Sequence, residues 1–563
     1  MSNLVGKDSD SALKIAEKVV GKDTESIVLE NNEIEIENVF SQSKQYVEQE
    51  KEISVLTAIR KYPREILWSS VFTLGVVMAG YDGQIIASFY SLPAFQKKFG
   101  VLGSDGTYPV QSSVQIALGM GSPIGQVIGC LFGAYPMEWF GRKWTYAATL
   151  ICCIGFVFWQ FFAPNIGVLI AGEIIGGLFW GVVVLIGPTY ASEISQIKLR
   201  GVLTTLTNMG FVIGQFVANG VADGFATNTS KWAYKVPFAI QFIWPVLILV
   251  ILPFAPESPY WLVRKGKMDA AKKSVRKICG PKASEEIVEN RLMVIVNTTS
   301  LEDELEKSSS YWDLFKGSNL RRTEVATVVY SIQVFCGVPF AVNYSTYFFS
   351  IATDIKTSVS FDLALGSAAI GFAATCSAWV FLSYFGRRFI YNVCMVLLTT
   401  VLFVIGFLDC PKSYTSHESL AYAQASLMLV WNFIYQMSAG ATAFTIISEN
   451  SAMNVRSKTI AFATAVQALF FIVATVVVPY MLNPDNGNLR GKTGFVFGAF
   501  CFVCTVWSFF RLPETSGRSY EELDIMYHRG IPAREFKNYD CYAEINNTTI
   551  FVNDKDENSL TEL

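Results

Sequence analysis

Twelve predominantly apolar stretches run through this chain, and their length leaves few folds open to it. They fall at about 66–92, 112–135, 144–163, 166–191, 201–222 and 235–254, then at about 324–350, 362–384, 389–408, 419–447, 459–482 and 493–511. A bilayer core about 30 Å thick needs around 20 apolar residues per helix, so each stretch is long enough to cross it. Composition agrees: 52% of residues are hydrophobic and only 16% are charged, where soluble domains carry about 25% charged residues. The expected fold class is an all-α membrane protein with twelve transmembrane helices in two six-helix pseudo-repeats.

Between the two series lies a polar run that opens Pro256-Glu257-Ser258-Pro259-Tyr260-Trp261 and carries Lys265, Lys267, Lys272, Lys273, Arg276, Glu285, Glu286 and Glu289. Charges are costly in lipid, so this run must lie in water, where its composition suits short amphipathic helices. The expected organisation is a disordered cytosolic tail over residues 1–62 and a first half over 63–255. A cytosolic linker over 256–323, a second half over 324–512 and a cytosolic tail over 513–563 complete it. Orientation follows from Lys and Arg. Arg142, Lys143, Lys198, Arg200, the linker, Arg387, Arg388, Arg456 and Lys458 fall on one side, which is read as cytosolic together with both termini. Asn228-Thr229-Ser230 then faces outward as a candidate glycan acceptor, whereas Asn297 and Asn547 face the cytosol and stay bare.

Internal repetition supports the two halves. Gly141-Arg142-Lys143 recurs as Gly386-Arg387-Arg388, Glu193 with Arg200 recurs as Glu449 with Arg456, and Pro256-Glu257 recurs as Pro513-Glu514. Three charged words in the same order are unexpected by chance in a chain this poor in charge. Pairs between Glu138, Glu193 or Glu257 and Arg142 or Arg200 would latch one half, and Glu449 with Arg387 or Arg456 the other. Exposed pairs are worth only about 0–1 kcal/mol each, which suits a reversible gate.

Other chemistries find no support. A net charge of −3 argues against a broad nucleic-acid surface. The eleven cysteines and the two histidines, His417 and His528, show no metal-ligand spacing, and no cofactor or enzyme constellation is present. Gly121, Gly125, Gly129 and Gly133 recur every fourth residue, as do Gly172 and Gly176, with Gly177 adjacent; within apolar helices this spacing reads as close helix packing.

Several of these words resemble the signatures of the sugar porters of the major facilitator superfamily. They are Gly80-Tyr81-Asp82, Glu138-Trp139-Phe140-Gly141-Arg142, Pro256-Glu257-Ser258 and the run from Pro513-Glu514-Thr515 to Asp524. Trp232 to Pro245, Asn208 to Gln215, and Tyr480 to Pro484 resemble the fungal α-glucoside (maltose-type) permease branch. The resemblance implies a plasma-membrane carrier of a maltose-like sugar, working as a monomer with a proton as co-substrate. A hexose facilitator and a non-transporting sugar sensor are the alternatives. The chain stops soon after Asp524, which is short for a sensor's signalling tail.

A sugar offers many hydroxyls and flat apolar faces, so amides and aromatics within the helices are the candidate contacts. These are Asn208 and Gln215, then Gln333, Asn343 and Tyr344, then Asn432, Gln436 and Phe444. Asn208, Gln333 and Asn343 occupy positions that resemble the family's sugar-contacting ones, and Phe444 sits where many sugar porters have an aromatic, five residues before Glu449. Pro339 and Ala441 depart from the hexose-porter pattern. An ionisable side chain inside a membrane is a functional candidate by default, which marks Asp82 and Glu173 for proton coupling. The α-glucoside branch carries an acid and an arginine where this chain has Ala79 and Thr464, so Asp82 and Glu173 are expected to lack a cation.

Overall fold

The computed structural model describes residues 55–539 except 103–107, 109, 282, 308–309, 346–347, 349–356, 411–417, 453–454, 484–485, 517 and 519. Twelve helices there coincide with the twelve apolar stretches. The first six are α1 (Pro63–Phe89), α2 (Ser112–Phe140), α3 (Arg142–Phe162), α4 (Ile166–Ile194), α5 (Ile197–Gly224) and α6 (Trp232–Phe254). The second six are α7 (Gly317–Asn343), α8 (Thr357–Tyr384), α9 (Arg387–Leu408), α10 (418–450), α11 (Arg456–Leu482) and α12 (Thr493–Arg511). Ten are long and apolar enough to cross a membrane; α5 and α10 are more polar. Those two hold Asn208, Gln215 and Asn219, and Gln424, Asn432 and Gln436.

Glycine sets the tightest contacts. A methyl group on Gly125 or Gly129 of α2 would collide with the carbonyl oxygens of Ile174 or Leu178 on α4. From the other side, one on Gly177 or Gly181 would strike the carbonyls of Ser122 or Gln126. Gly172 and Gly176 face α3 instead, against Trp159 and Phe156. Gly80 of α1 meets the backbone of Phe211 on α5 in the same way, which explains a glycine two residues before Asp82.

Three helices are broken where the interior needs polar groups. Pro245 has no N–H to offer Gln241, and α6 bends between Ile240 and Ile243. In α7, Gly337 adopts φ +106 and Pro339 opens a π turn to Asn343. In α10, Gln436–Gly440 forms a second π turn. Such turns release backbone groups from the regular ladder, and they are frequent at functional sites.

The repeated words converge into one cluster per half. Glu257 accepts the backbone N–H groups of Arg142 (3.0 Å) and Lys143 (3.2 Å), the unpaired first turn of α3. Glu514 accepts those of Arg387 (2.9 Å) and Arg388 (3.2 Å) at the start of α9. Arg142 pairs with Glu193 at 2.7 Å, and Arg387 with Glu449 at 2.9 Å. The second pair is longer and more exposed, but Thr515 donates to Glu449 and Arg387 donates to Ser516. Two expected pairings are corrected. Glu138 pairs with Arg264 of the linker, 3.7 Å away, rather than with Arg142, which is taken by Glu193. Glu257 is held by backbone N–H groups rather than by a guanidinium, and burial pushes its carboxyl above the usual range against those bonds. Arg456 lies at the start of α11, and the side chain of Arg200 falls outside the described residues.

The linker is helical over Pro259–Arg264, Met268–Cys279 and Glu285–Lys307. Its Arg291 reaches the buried Glu65 at the start of α1, 2.5 Å away, and donates to the carbonyl of Ile194. Residues 1–54 of the expected tail lie outside the described residues. From Val55 to Lys61 the chain is helical rather than disordered, because Ala58 and Tyr62 bury against Ala191, Leu199 and Leu203.

Overpacking a tight contact costs about 1–3 kcal/mol, and more where backbone is struck. Gly125→Leu should therefore abolish folded, surface-delivered protein, whereas Gly155→Leu, where a Cβ meets nothing, should not. Thermal melting of detergent-solubilised protein checks both.

Candidate functional site

One cavity of about 560 Å³ lies between the two six-helix halves, within the roughly 300–1,000 Å³ usual for ligand sites. It opens at the linker end, where Glu138, Arg142, Glu193, Arg264 and Arg456 line its mouth. At the other end the halves meet. Asn483 and Asn486 donate to Ser112, Asn219 of α5 donates to the carbonyl of Ala364 on α8 at 3.2 Å, and Tyr90 stacks with Tyr344.

Of the eight candidate contacts, Asn208, Gln215, Gln333, Asn343, Tyr344, Gln436 and Phe444 reach this cavity. The broken helices put them there, since Asn343 and Tyr344 end the π turn of α7 and Phe444 follows that of α10. Asn208 donates to Gln436 Oε1 across the halves at 3.0 Å. Gln333 donates to the freed carbonyls of Ala439 (3.1 Å) and Gly440 (3.4 Å). Phe444 packs edge-on against Tyr330, their centroids 5.7 Å apart. Gln436 joins the wall, but Asn432 does not: its amide donates to Ser367 of α8 and ties helices together. Gln467 of α11 was missed from sequence, although it is the one amide in an apolar span. It lines the cavity and donates to Gln333 Oε1 at 2.6 Å.

The two intramembrane acids form one cluster beside this cavity. Glu173 is on the wall and Asp82 is fully buried behind it. Asp82 Oδ1 accepts from Gln160 Nε2 and Gln241 Nε2, both at 3.0 Å, and Oδ2 accepts from Trp180 Nε1 at 3.0 Å. Gln160 Nε2 also donates to Glu173 Oε1 at 2.6 Å. All four donations come from neutral groups, and among the described residues no arginine or lysine bonds either carboxyl, as the positions Ala79 and Thr464 led us to expect. The break in α6 builds this arrangement. Gln241 N turns to the carbonyl of Phe238, which frees that of Pro237 for the Tyr81 hydroxyl at 2.8 Å and aims Gln241 at Asp82. Gln160, Trp180 and Gln241 were not singled out from sequence as site residues. Gln160 stands alone as an amide in the span Arg142–Phe162, which is the signal that marks it.

Comparison with known proteins agrees with this geometry. Residues 68–527 match the family described as "Sugar (and other) transporter". The maltose permease MAL31 of Saccharomyces cerevisiae is 32% identical over 563 residues, covering 98% of this chain and 90% of the relative. A general alpha-glucoside permease of the same yeast is 32% identical over 520 residues, covering 92% of this chain and 82% of the relative. Among solved structures, the proton:xylose symporter XylE bound to 6-bromo-6-deoxy-D-glucose superposes with a TM-score of 0.68 at 20% identity, covering 82% of this chain and 99% of that chain. A partially occluded inward open form of E. coli XylE gives 0.65 at 20% identity, covering 81% and 99%. These structures establish the major facilitator fold, with its two six-helix repeats. On both the sequence match and the full-length similarity to its relatives, the chain is a membrane transporter that belongs to the sugar (and other) transporter family.

Proposed function

We propose that this chain carries an α-glucoside of the maltose type across the plasma membrane together with one proton. It works as a monomer by alternating access, with both termini in the cytosol. The observation that carries this reading is the cavity between the halves, whose wall combines amides with Tyr330, Tyr344 and Phe444 and whose neighbour is a buried acid pair. The names of the yeast relatives support the substrate class. With the linker in the cytosol, the cavity faces inward. Proton and sugar then bind from outside in the opposite state, Asp82 carries the proton, and Glu173 on the wall is where it enters.

In this reading the rim clusters are the gate. Arg142, Glu193 and Glu257 hold one half, and Arg387, Glu449 and Glu514 hold the other. Glu138 ties the first half to the linker, Arg456 adds to the basic rim, and Arg200 is assigned to the gate from its sequence repeat with Arg456 alone. The two access states must stay within a few kcal/mol for the cycle to run.

Three outcomes are expected. In a transport-null yeast strain, labelled maltose should be taken up in preference to glucose, sucrose and trehalose, with alkalinisation of the medium and collapse under a protonophore. Asp82→Asn should abolish accumulation and Glu173→Gln should lower it. Protonophore-resistant uptake would make the protein a facilitator. Gln333→Ala and Asn343→Ala should each raise the half-saturation concentration about five-fold or more at normal surface expression, as loss of a hydrogen bond worth about 1–3 kcal/mol implies. Unchanged kinetics in both would remove α7 from the site. Arg142→Gln should slow turnover more than it alters binding, with a matching change in cysteine accessibility at the cavity mouth; normal turnover and accessibility would reduce the pair to a topology anchor.

A further inference from the structure

The acid cluster contains one group that touches both carboxyls, and it is neutral. A single amide nitrogen, Gln160 Nε2, donates to Asp82 Oδ1 at 3.0 Å and to Glu173 Oε1 at 2.6 Å. It therefore spans the step from the cavity wall to the acid behind it. The remaining contacts of Asp82 come from Gln241, Trp180 and the Glu173 carboxyl itself, and Trp180 also lines the cavity. An ionised carboxylate only accepts, and these donors suit that state. A protonated carboxyl must instead donate one O–H, and it then needs an acceptor. Besides the other carboxyl, the cluster offers two buried amide oxygens as acceptors, Gln160 Oε1 and Gln241 Oε1, which bond no other described residue.

We propose that Gln160 is the positioning residue of the proton site, bridging Glu173 on the cavity wall to Asp82 behind it. Its amide presents N–H to the two carboxyls while they share one proton between them. A half-turn of the same amide presents Oε1 to the carboxyl that has taken up a proton. A glutamine can serve both states because donor and acceptor sit on one terminal group. Gln241 is less free to do so, because it is held in the bend of α6 and reaches Asp82 alone. The pairing explains how two acids sit together in a membrane without a cation. It also links proton loading to the wall that substrate touches, since Glu173 and Trp180 belong to both.

This inference rests on the symport reading above, and the test separates the two. Wild type, Gln160→Leu and Gln160→Asn are compared for uphill accumulation of labelled maltose and for sugar counterflow, which needs no net proton movement. The readout is the ratio of accumulation to counterflow at matched surface expression. Gln160→Leu should lower that ratio about tenfold, as loss of a hydrogen bond to a charged group implies. Gln160→Asn keeps an amide and should restore part of it. A wild type that neither accumulates sugar nor moves protons removes the symport reading, and the inference with it. If wild type accumulates and Gln160→Leu keeps the wild-type ratio, symport stands and the inference is overturned. It is overturned equally if Leu and Asn behave alike, or if both lose counterflow together with accumulation, since the residue then serves packing alone.

Discussion

A carboxylate closing the first turn of a helix organises each half of this protein. Glu257 takes the free N–H groups of α3, and Glu514 takes those of α9. Each comes from the chain segment that leaves the last helix of its half, so the contact ties the end of a six-helix unit to its middle. The arginine that opens the same helix then has its position fixed, and it reaches the acid at the end of α4 or α10. Helix ends need such partners because the first N–H groups of a helix find none within it. The requirement also explains the glycine before each arginine. A side chain on Gly141 or Gly386 would occupy the space of the carboxylate. Within a half the rim is rigid; between halves, only the cavity mouth separates them.

Much of this was legible in the sequence, and the reasons are local. Twelve spans follow from length and apolarity, and the rim clusters follow from words that repeat in a chain poor in charge. Seven amides and aromatics of the cavity stood out as polar or aromatic residues inside apolar helices. Rotation about each helix axis was not legible. Asn432 and Gln436 differ by about one turn, yet the π turn of α10 sends one to α8 and the other to the cavity. Gln160, Trp180 and Gln241 come from α3, α4 and α6, and meet because α6 is bent and Gly172 and Gly176 of α4 let α3 close in. Sequence shows neither the bend angle nor the crossing. The partner of Glu138 was missed for a related reason: Arg264 lies in the linker, which was treated as solvated surface rather than as a packing partner. Arg291 on Glu65 shows the same docking more deeply buried.

The contrast between α2–α4 and α7–α10 shows how stiffness is distributed. Glycines bring α2 and α4 to backbone contact, so their faces cannot slide, and Glu173 projects from that fixed pair. The helices opposite are interrupted by π turns at Pro339–Asn343 and Gln436–Gly440. Interrupted helices have spare backbone acceptors and fewer constraints, and those acceptors hold Gln333 in place. Glu173 is therefore built on the glycine-packed side of the cavity, while the interrupted helices opposite carry Gln333, Asn343 and Gln436.

The cavity wall is not a set of waiting donors. Asn208 is paired with Gln436, and Gln333 with Gln467 and two carbonyls, so an arriving hydroxyl exchanges bonds rather than adding them. Such an exchange is worth only about 0.5–1.5 kcal/mol per bond. Affinity must then come largely from apolar sugar faces covering Tyr330, Tyr344 and Phe444. The exchange has a second effect, because Asn208 and Gln436 belong to different halves. A hydroxyl that takes either partner removes one of the bonds holding α5 to α10. A ligand shifts an equilibrium only by its differential affinity for the two states, and this bond provides such a difference at the centre of the cavity.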